Sequence, residues 1–261
     1  MLSTEGYIMI TKMNFYERSL LFAKLAQIAY KDPKAAKKDA AALGFKEIEF
    51  YDLGGAQAYR LQNDTDMVIA CRGTEPTEFN DIAADLKAMP VMAETVGRVH
   101  MGFKKEVDEL WPMVKEDLLD KDNSHVKVWF TGHSLGAAMT TIMASRCEDD
   151  EEMPNIEEVY TYGSPRVGWR KFVKSLGCKH HRWVNNNDIV TTVPLRVMGY
   201  VHDGQEHYMD CNGMERMMTP MQRMKDKLQG YWMGWKNKSI DSFSDHNIGD
   251  YISNIEKNMQ G

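Results

Sequence analysis

A serine hydroxyl attacks a carbonyl only when a base removes its proton and a third group orients that base. The stretch VWFTGHSLGAAMTTIM, residues 128–143, carries a serine suited to this chemistry. Gly132-His133-Ser134-Leu135-Gly136 fits the pattern G-x-S-x-G, which is common by itself. Its position is more informative. It joins a run of alternating bulky residues to a helical pattern in which Leu135, Ala138, Met139, Ile142 and Met143 share one face. A sharp strand-to-helix turn there lifts the serine oxygen above the sheet edge. Gly132 and Gly136 let the strand and helix backbones approach closely. The helix start favours negative charge developing nearby. The alternative is an ordinary strand-to-helix turn.

The base must be a histidine brought to the same edge. Of the eight histidines, His133 lies inside the elbow and reads as structural. His246 follows every predicted sheet element and precedes a terminal helix with Ile248, Tyr251, Ile252 and Ile255 on one face. A loop between the sheet and a packed helix can hold an imidazole over the strand ends; a helix-capping histidine is the alternative. Asp188, just after HRWVNN, would project from the same sheet edge as Ser134 and orient the imidazole. Its other reading is a turn residue in NNND, and Asp203, Asp210 and Asp245 compete for the role. The chain order Ser134, Asp188, His246 is that of the α/β-hydrolase fold.

Positioning these residues takes alternating strands and helices. FYERSLLFAKLAQIAY, residues 15–30, predicts an amphipathic helix that stops near Pro33. KEIEFYDL, a Gly54-Gly55 turn and AQAYRLQ predict a hairpin, and Met67 to Cys71 suits a strand buried on both faces. Residues 103–119 read as a helix; EEVYTYG and HRWVNN read as strands on either side of the helix WRKFVKSLG. The pattern favours an α/β fold with a mostly parallel central sheet flanked by helices, in one domain spanning 1–261, with 1–14 as a loosely ordered extension.

Composition narrows the function classes. With 261 residues, 43% hydrophobic and 27% charged, the chain is that of an ordinary globular protein. A net charge of -6 argues against a nucleic-acid partner, and the absence of a long apolar run argues against a transmembrane segment. The first residues lack the basic and apolar regions of a cleavable signal peptide, which leaves the compartment open. Cys71, Cys147, Cys178 and Cys211 are widely spaced and read as reduced thiols, with no metal-ligand spacing.

From about residue 20 to 255 the chain resembles the class 3 lipase family, which includes the fungal triacylglycerol lipases. Eight blocks carry the resemblance in order: ACRGTE, DIAADL, VHMGF, GHSLGAA, YGSPRVG, NNNDIVTTVP, HDGQE and DHNIGDY. The resemblance implies a serine hydrolase of carboxylic esters, acylglycerols or related lipids, with Ser134, Asp188 and His246 as the triad and no cofactor or metal. It assigns the oxyanion hole to the backbone amides of Thr74 and Leu135. It also implies a lid after the oxyanion strand, and Phe79, Ile82, Leu86 and Met89 do fall on one helical face; a helix packed permanently on the core would show the same spacing. Trp169 stands where the family usually has asparagine, and the disulfide pattern of the fungal enzymes is missing. The rivals on the same fold are a silent lipid-binding scaffold and an acyltransferase.

Residues 212–240 form a second place where lipid could meet the protein. Six basic residues (Arg216, Arg223, Lys225, Lys227, Lys236, Lys238) stand against Glu215 and Asp226, which makes the segment +4 in a -6 chain. Met221, Met224 and Leu228 share one helical face there. That stripe suits either peripheral contact with a lipid surface or packing onto the core.

Overall fold

Strand Asp66–Cys71 is buried along its whole length because its alternate residues serve two cores. Met67, Ile69 and Cys71 enter one, Val68 and Ala70 the other. The computed structural model describes residues 9–73, 89–236 and 244–260, and of 231–236 and 244 the backbone alone. In chain order the elements begin with helices α1 (Phe15–Ile28) and α2 (Pro33–Ala42) and strands β1 (Glu47–Leu53), β2 (Ala56–Gln62) and β3 (Asp66–Cys71). Short strands β4 (Pro90–Met92) and β5 (Arg98–His100), helix α3 (Met101–Leu119), β6 (Lys127–His133), α4 (Leu135–Asp149) and β7 (Ile156–Tyr162) follow. Next come β8 (Gly168–Trp169), α5 (Arg170–Ser175), β9 (His180–Asn185), β10 (Tyr200–Val201), β11 (Gln205–Met209), α6 (Pro220–Lys236) and α7 (Ile248–Asn258).

Seven strands form the main sheet in the order β1-β2-β3-β6-β7-β9-β11. The β1–β2 hairpin and its pairing with β3 are antiparallel; β3, β6, β7, β9 and β11 run parallel. Parallel neighbours need crossovers, and α3, α4 and α5 provide them on one face. On the other, α1 and α7 cover Trp129, Tyr160, Tyr162 and Trp183. This is the mostly parallel α/β arrangement expected. The first helix ends at Ile28, ahead of Pro33 as expected, and Pro33 itself opens α2: Asp32 caps Lys34 and Ala35, and a proline fits the first turn because its missing N–H would have no partner there. A second sheet, β10-β8-β5-β4, has strands of two and three residues, too short for periodicity to reveal. Trp169 belongs to it, paired with Tyr200 and with the Arg98 guanidinium 5.0 Å over its ring. Of residues 1–14, expected to be loose, Ile10 is buried and its amide reaches Asp66 at 3.4 Å, while Asn14 forms a capping box with Glu17. All four cysteines are free thiols, and no helix among the described residues is long and apolar enough to cross a membrane.

Several histidines are enclosed in their neutral form. Burial holds His100 and His181 down to about 4, with His207 adding to the effect on His181. Burial, helped by nearby Arg182, pushes His202 down to about 2. The unfolded chain would protonate these groups below about pH 6.5, where the fold keeps them neutral. Their contribution to stability is therefore complete above about pH 6.5 and is lost as pH falls towards 4. Melting followed by circular dichroism should give a Tm that is level near neutrality and lower by roughly 5 °C or more at about pH 5. Equal Tm at the two values would contradict this account.

Candidate active site

Three neighbouring strands, β6, β7 and β9, end at the same edge of the sheet, and each delivers one part of the site. At the end of β6, Ser134 has φ 59° and ψ −129°, and it is the only non-glycine residue with positive φ among those described. Such a conformation costs on the order of 1–3 kcal/mol and persists only where its surroundings enforce it. The enforcement is visible. Ser134 N–H donates to the Tyr162 carbonyl at 3.0 Å, and Thr140 Oγ1 donates to the Thr131 carbonyl at 2.9 Å, tying α4 back to β6. A Cβ on Gly132 would collide with the Gly136 carbonyl, and one on Gly136 with the Cys71 carbonyl, so both glycines are required by close approach. The Leu135 amide directly follows Ser134 and opens α4, where a first-turn N–H has no acceptor within the helix.

Asp188 sits in the turn after β9 with no exposed surface. Its Oδ1 accepts from the Val190 amide at 2.9 Å; Oδ2 accepts from His246 Nδ1 at 2.9 Å and from the Tyr251 hydroxyl at 2.6 Å. An ionised carboxylate only accepts, so Nδ1 of His246 carries a proton and Nε2 keeps its lone pair in the neutral ring. Tyr251 in turn accepts from the Asn185 amide at 3.1 Å, and its burial beside Asp188 raises its pKa well above the usual value. Gly163, at the end of β7 with φ 59°, is the floor of this pair. A Cβ there would stand 2.7 Å from Asp188 Oδ2 and 2.8 Å from the His246 ring.

His133, read as structural from its place in the elbow, links Ser134 to the His246 loop. Its Nε2 lies 2.7 Å from the His246 carbonyl and its Nδ1 2.8 Å from the Tyr30 hydroxyl. A carbonyl only accepts, so Nε2–H donates to it and Nδ1 accepts from Tyr30. Burial, then the neighbouring His246, keeps the ring pKa well below the usual histidine value, consistent with this neutral tautomer. The rings of His133 and His246 are 4.5 Å apart between centroids.

The structure thus brings Asp188 and His246 into direct contact and sets Ser134 next to the residue that holds the His246 loop. Ser134 Oγ is buried and bonds to no described residue, so the hydroxyl–imidazole hydrogen bond is not made in this structure. Asp203 pairs with His180 at 2.8 Å, and Asp210 accepts from the amides of Asn212 and Met214, which engages both elsewhere. Asp245 lends its carbonyl to Asn185. Thr74, and Phe79, Ile82 and Leu86 of the expected lid, lie outside the described residues; Met89 is exposed, and its carbonyl accepts from the Met101 amide at 3.0 Å. Sequence reasoning missed Tyr251 and Gly163 as parts of the site. A tyrosine on the buried face of a helix needs a partner for its hydroxyl, and that signal was present. Among the described residues there is no cluster of side chains able to hold a metal ion.

Comparison with known proteins agrees with this architecture. Residues 68–198 match the family described as Lipase (class 3), a span that includes Ser134 and Asp188 and ends before His246. A lipase of Rhizomucor miehei is 32% identical over 173 residues, covering 63% of this chain and 47% of that protein. Toxin TseL of Vibrio cholerae is 31% identical over 182 residues, 54% of this chain and 28% of the toxin. The chain therefore spans less than half the length of these curated relatives. In three dimensions the solved triacylglyceride lipase of Rhizomucor miehei superposes with a TM-score of 0.63 at 25% identity, covering 74% of this chain and 79% of that one, and shares its α/β-hydrolase fold. With half of its residues matched by the family and the same fold around the elbow, the chain belongs to the class 3 lipase family.

Proposed function

We propose that the protein hydrolyses carboxylic esters of lipids, acylglycerols foremost, with Ser134 as nucleophile, His246 as general base and acid, and Asp188 as the group that orients His246. The observation that carries this reading is the buried Asp188–His246 hydrogen bond of 2.9 Å at the edge where the strained Ser134 stands. In the reaction, Ser134 Oγ bonds to the ester carbonyl carbon as its proton passes to His246 Nε2. The imidazolium formed is stabilised by Asp188, and His246 returns the proton to the departing alcohol oxygen as the C–O bond breaks. Water then attacks the acyl-enzyme with His246 again as base, releasing the acid and restoring Ser134. The Leu135 amide is one donor to the oxyanion, and Thr74 is proposed as the second.

Acylglycerol as the substrate class draws its support from the relatives. The superposed fungal protein is a triacylglyceride lipase. Lipid contact through the lid segment 75–91 belongs to the same reading.

Two measurements test this assignment. Ser134→Ala should lower kcat on a soluble p-nitrophenyl ester roughly 10⁴- to 10⁶-fold while circular dichroism shows the fold intact. Turnover at the parent rate would refute the nucleophile, and failure of Ser134 to react with a fluorophosphonate would favour a silent scaffold. Tyr251→Phe removes one of the three donors to Asp188 and should lower kcat about tenfold, with KM unchanged. An unaltered kcat would mean that Tyr251 merely fills space.

A further inference from the structure

Helix α6 is built the wrong way round for a helix that serves only to cover a core. Its inward face is charged and polar. Asp226 is buried and accepts from the Tyr208 hydroxyl at 2.8 Å and the Cys211 amide at 3.1 Å. One turn before it, Arg223 pairs with Glu206 and lies 4.6 Å over the Tyr208 ring. One turn after it, a Cβ on Gly230 would stand 2.5 Å from Asn187 Nδ2 and 2.9 Å from Asn186 Nδ2, so the helix backbone rests on that turn. The outward side carries Met221, Met224 and Leu228, exposed by 66%, 59% and 63%, and Met217 just before the helix is fully exposed. Within α6 the spacing of three and four residues sets Met221, Met224 and Leu228 in one row, with Met217 exposed in the chain that leads into it. Lys225 is exposed beside the row, and Arg216, in the chain leading into the helix, is exposed while lying 3.5 Å from Asp210.

Scattered exposed apolar residues need no explanation, but a helical row of three over an inward-facing polar side does. We propose that this face is an anchor that docks the protein on an anionic lipid surface. Methionine and leucine enter the boundary between headgroups and acyl chains, while Arg216 and Lys225 meet the lipid phosphates. Charge selects this occupant. Of the described charges here, Arg216, Lys225 and Lys227 reach the surface while Glu215 and Asp226 are engaged inward, so in a chain of −6 an anionic surface is attracted to this face and repelled by the rest. A second copy fits poorly, since two-fold pairing through the row would set the same cations against one another.

The anchor also has a fixed relation to the candidate site. Asn186 Nδ2 donates to the Asp226 carbonyl at 3.3 Å, and Asn187 immediately precedes Asp188. Docking through α6 therefore holds the Asp188 turn behind the helix, about one helix diameter (~10 Å) from the lipid surface. This orientation rests on the proposed ester hydrolysis; the docking itself does not.

The test is co-sedimentation of the full chain, as parent and as Ser134→Ala, with vesicles of equal parts phosphatidylcholine and phosphatidylglycerol. Both proteins should bind, more weakly as salt is raised and on phosphatidylcholine alone. The combined variant M221Q/M224Q/L228Q, whose changes are all at exposed positions, should bind at least tenfold more weakly with an unchanged circular dichroism spectrum. Absence of binding by the parent, or equal binding by the triple variant, would overturn the proposal. So would a parent dimer in gel filtration that the triple variant loses, because the row would then be a self-association surface. Ser134→Ala binds without turning over, so a failure of docking and a failure of the hydrolase reading appear in separate measurements.

Discussion

A carboxylate with no exposed surface must be met by hydrogen-bond donors or it destabilises the fold by several kcal/mol. Asp188 is such a group, and its donors come from three places along the chain: the Val190 amide in its own turn, His246 before α7, and Tyr251 within α7. Satisfying this single side chain fixes the Asp188 turn, the His246 ring and the register of the terminal helix together. Tyr251 is tied further to the end of β9 through the Asn185 amide, and His246 to the elbow through His133. The site is therefore one buried polar network, in which each member sets the orientation of the next.

The elbow supplies the opposite kind of constraint, a cost that the rest of the sheet offsets. Ser134 at φ 59° would relax if β6 and α4 could separate. They cannot, because β6 is central in the sheet, between β3 and β7, and α4 is buried along nearly its whole length. The apolar surface removed from water by α4 greatly exceeds the local strain. Here the core positions the serine, while the polar network positions the imidazole and the carboxylate.

How far this was legible in the sequence follows from the same division. Features with a strong local signal were readable: the β6–α4 elbow from its glycines and the change of periodicity, the hairpin from Gly54-Gly55, the fully buried β3 from its continuous apolar run. The order Ser134, Asp188, His246 pointed to a common edge because loops after parallel strands share one. Contacts between distant elements left weaker traces. Tyr251 reads as one more apolar position, and its hydrogen bond to Asp188 depends on how α7 docks. Pro33 marks the break after α1, but proline is compatible with both ends of a helix, and only the Asp32 cap shows that it also opens α2. The strands of the small sheet are too short to show a period at all.

The side to which α6 turns is the clearest case of what a pattern leaves undecided. Periodicity says that Met221, Met224 and Leu228 share a face; burial would be the default destination for it. What reverses the default is the opposite face, where Asp226 has donors in Tyr208 and Cys211, and Arg223 has Glu206 and a ring. A buried charge with good partners binds its helix in one orientation, because turning the helix would strand Asp226 and take Arg223 from Glu206, which Arg182 also holds. The apolar row is then committed to the outside by polar chemistry on the inside. The same inner face bears on Asn186 and Asn187, so what anchors α6 also supports the turn from which Asp188 reaches His246.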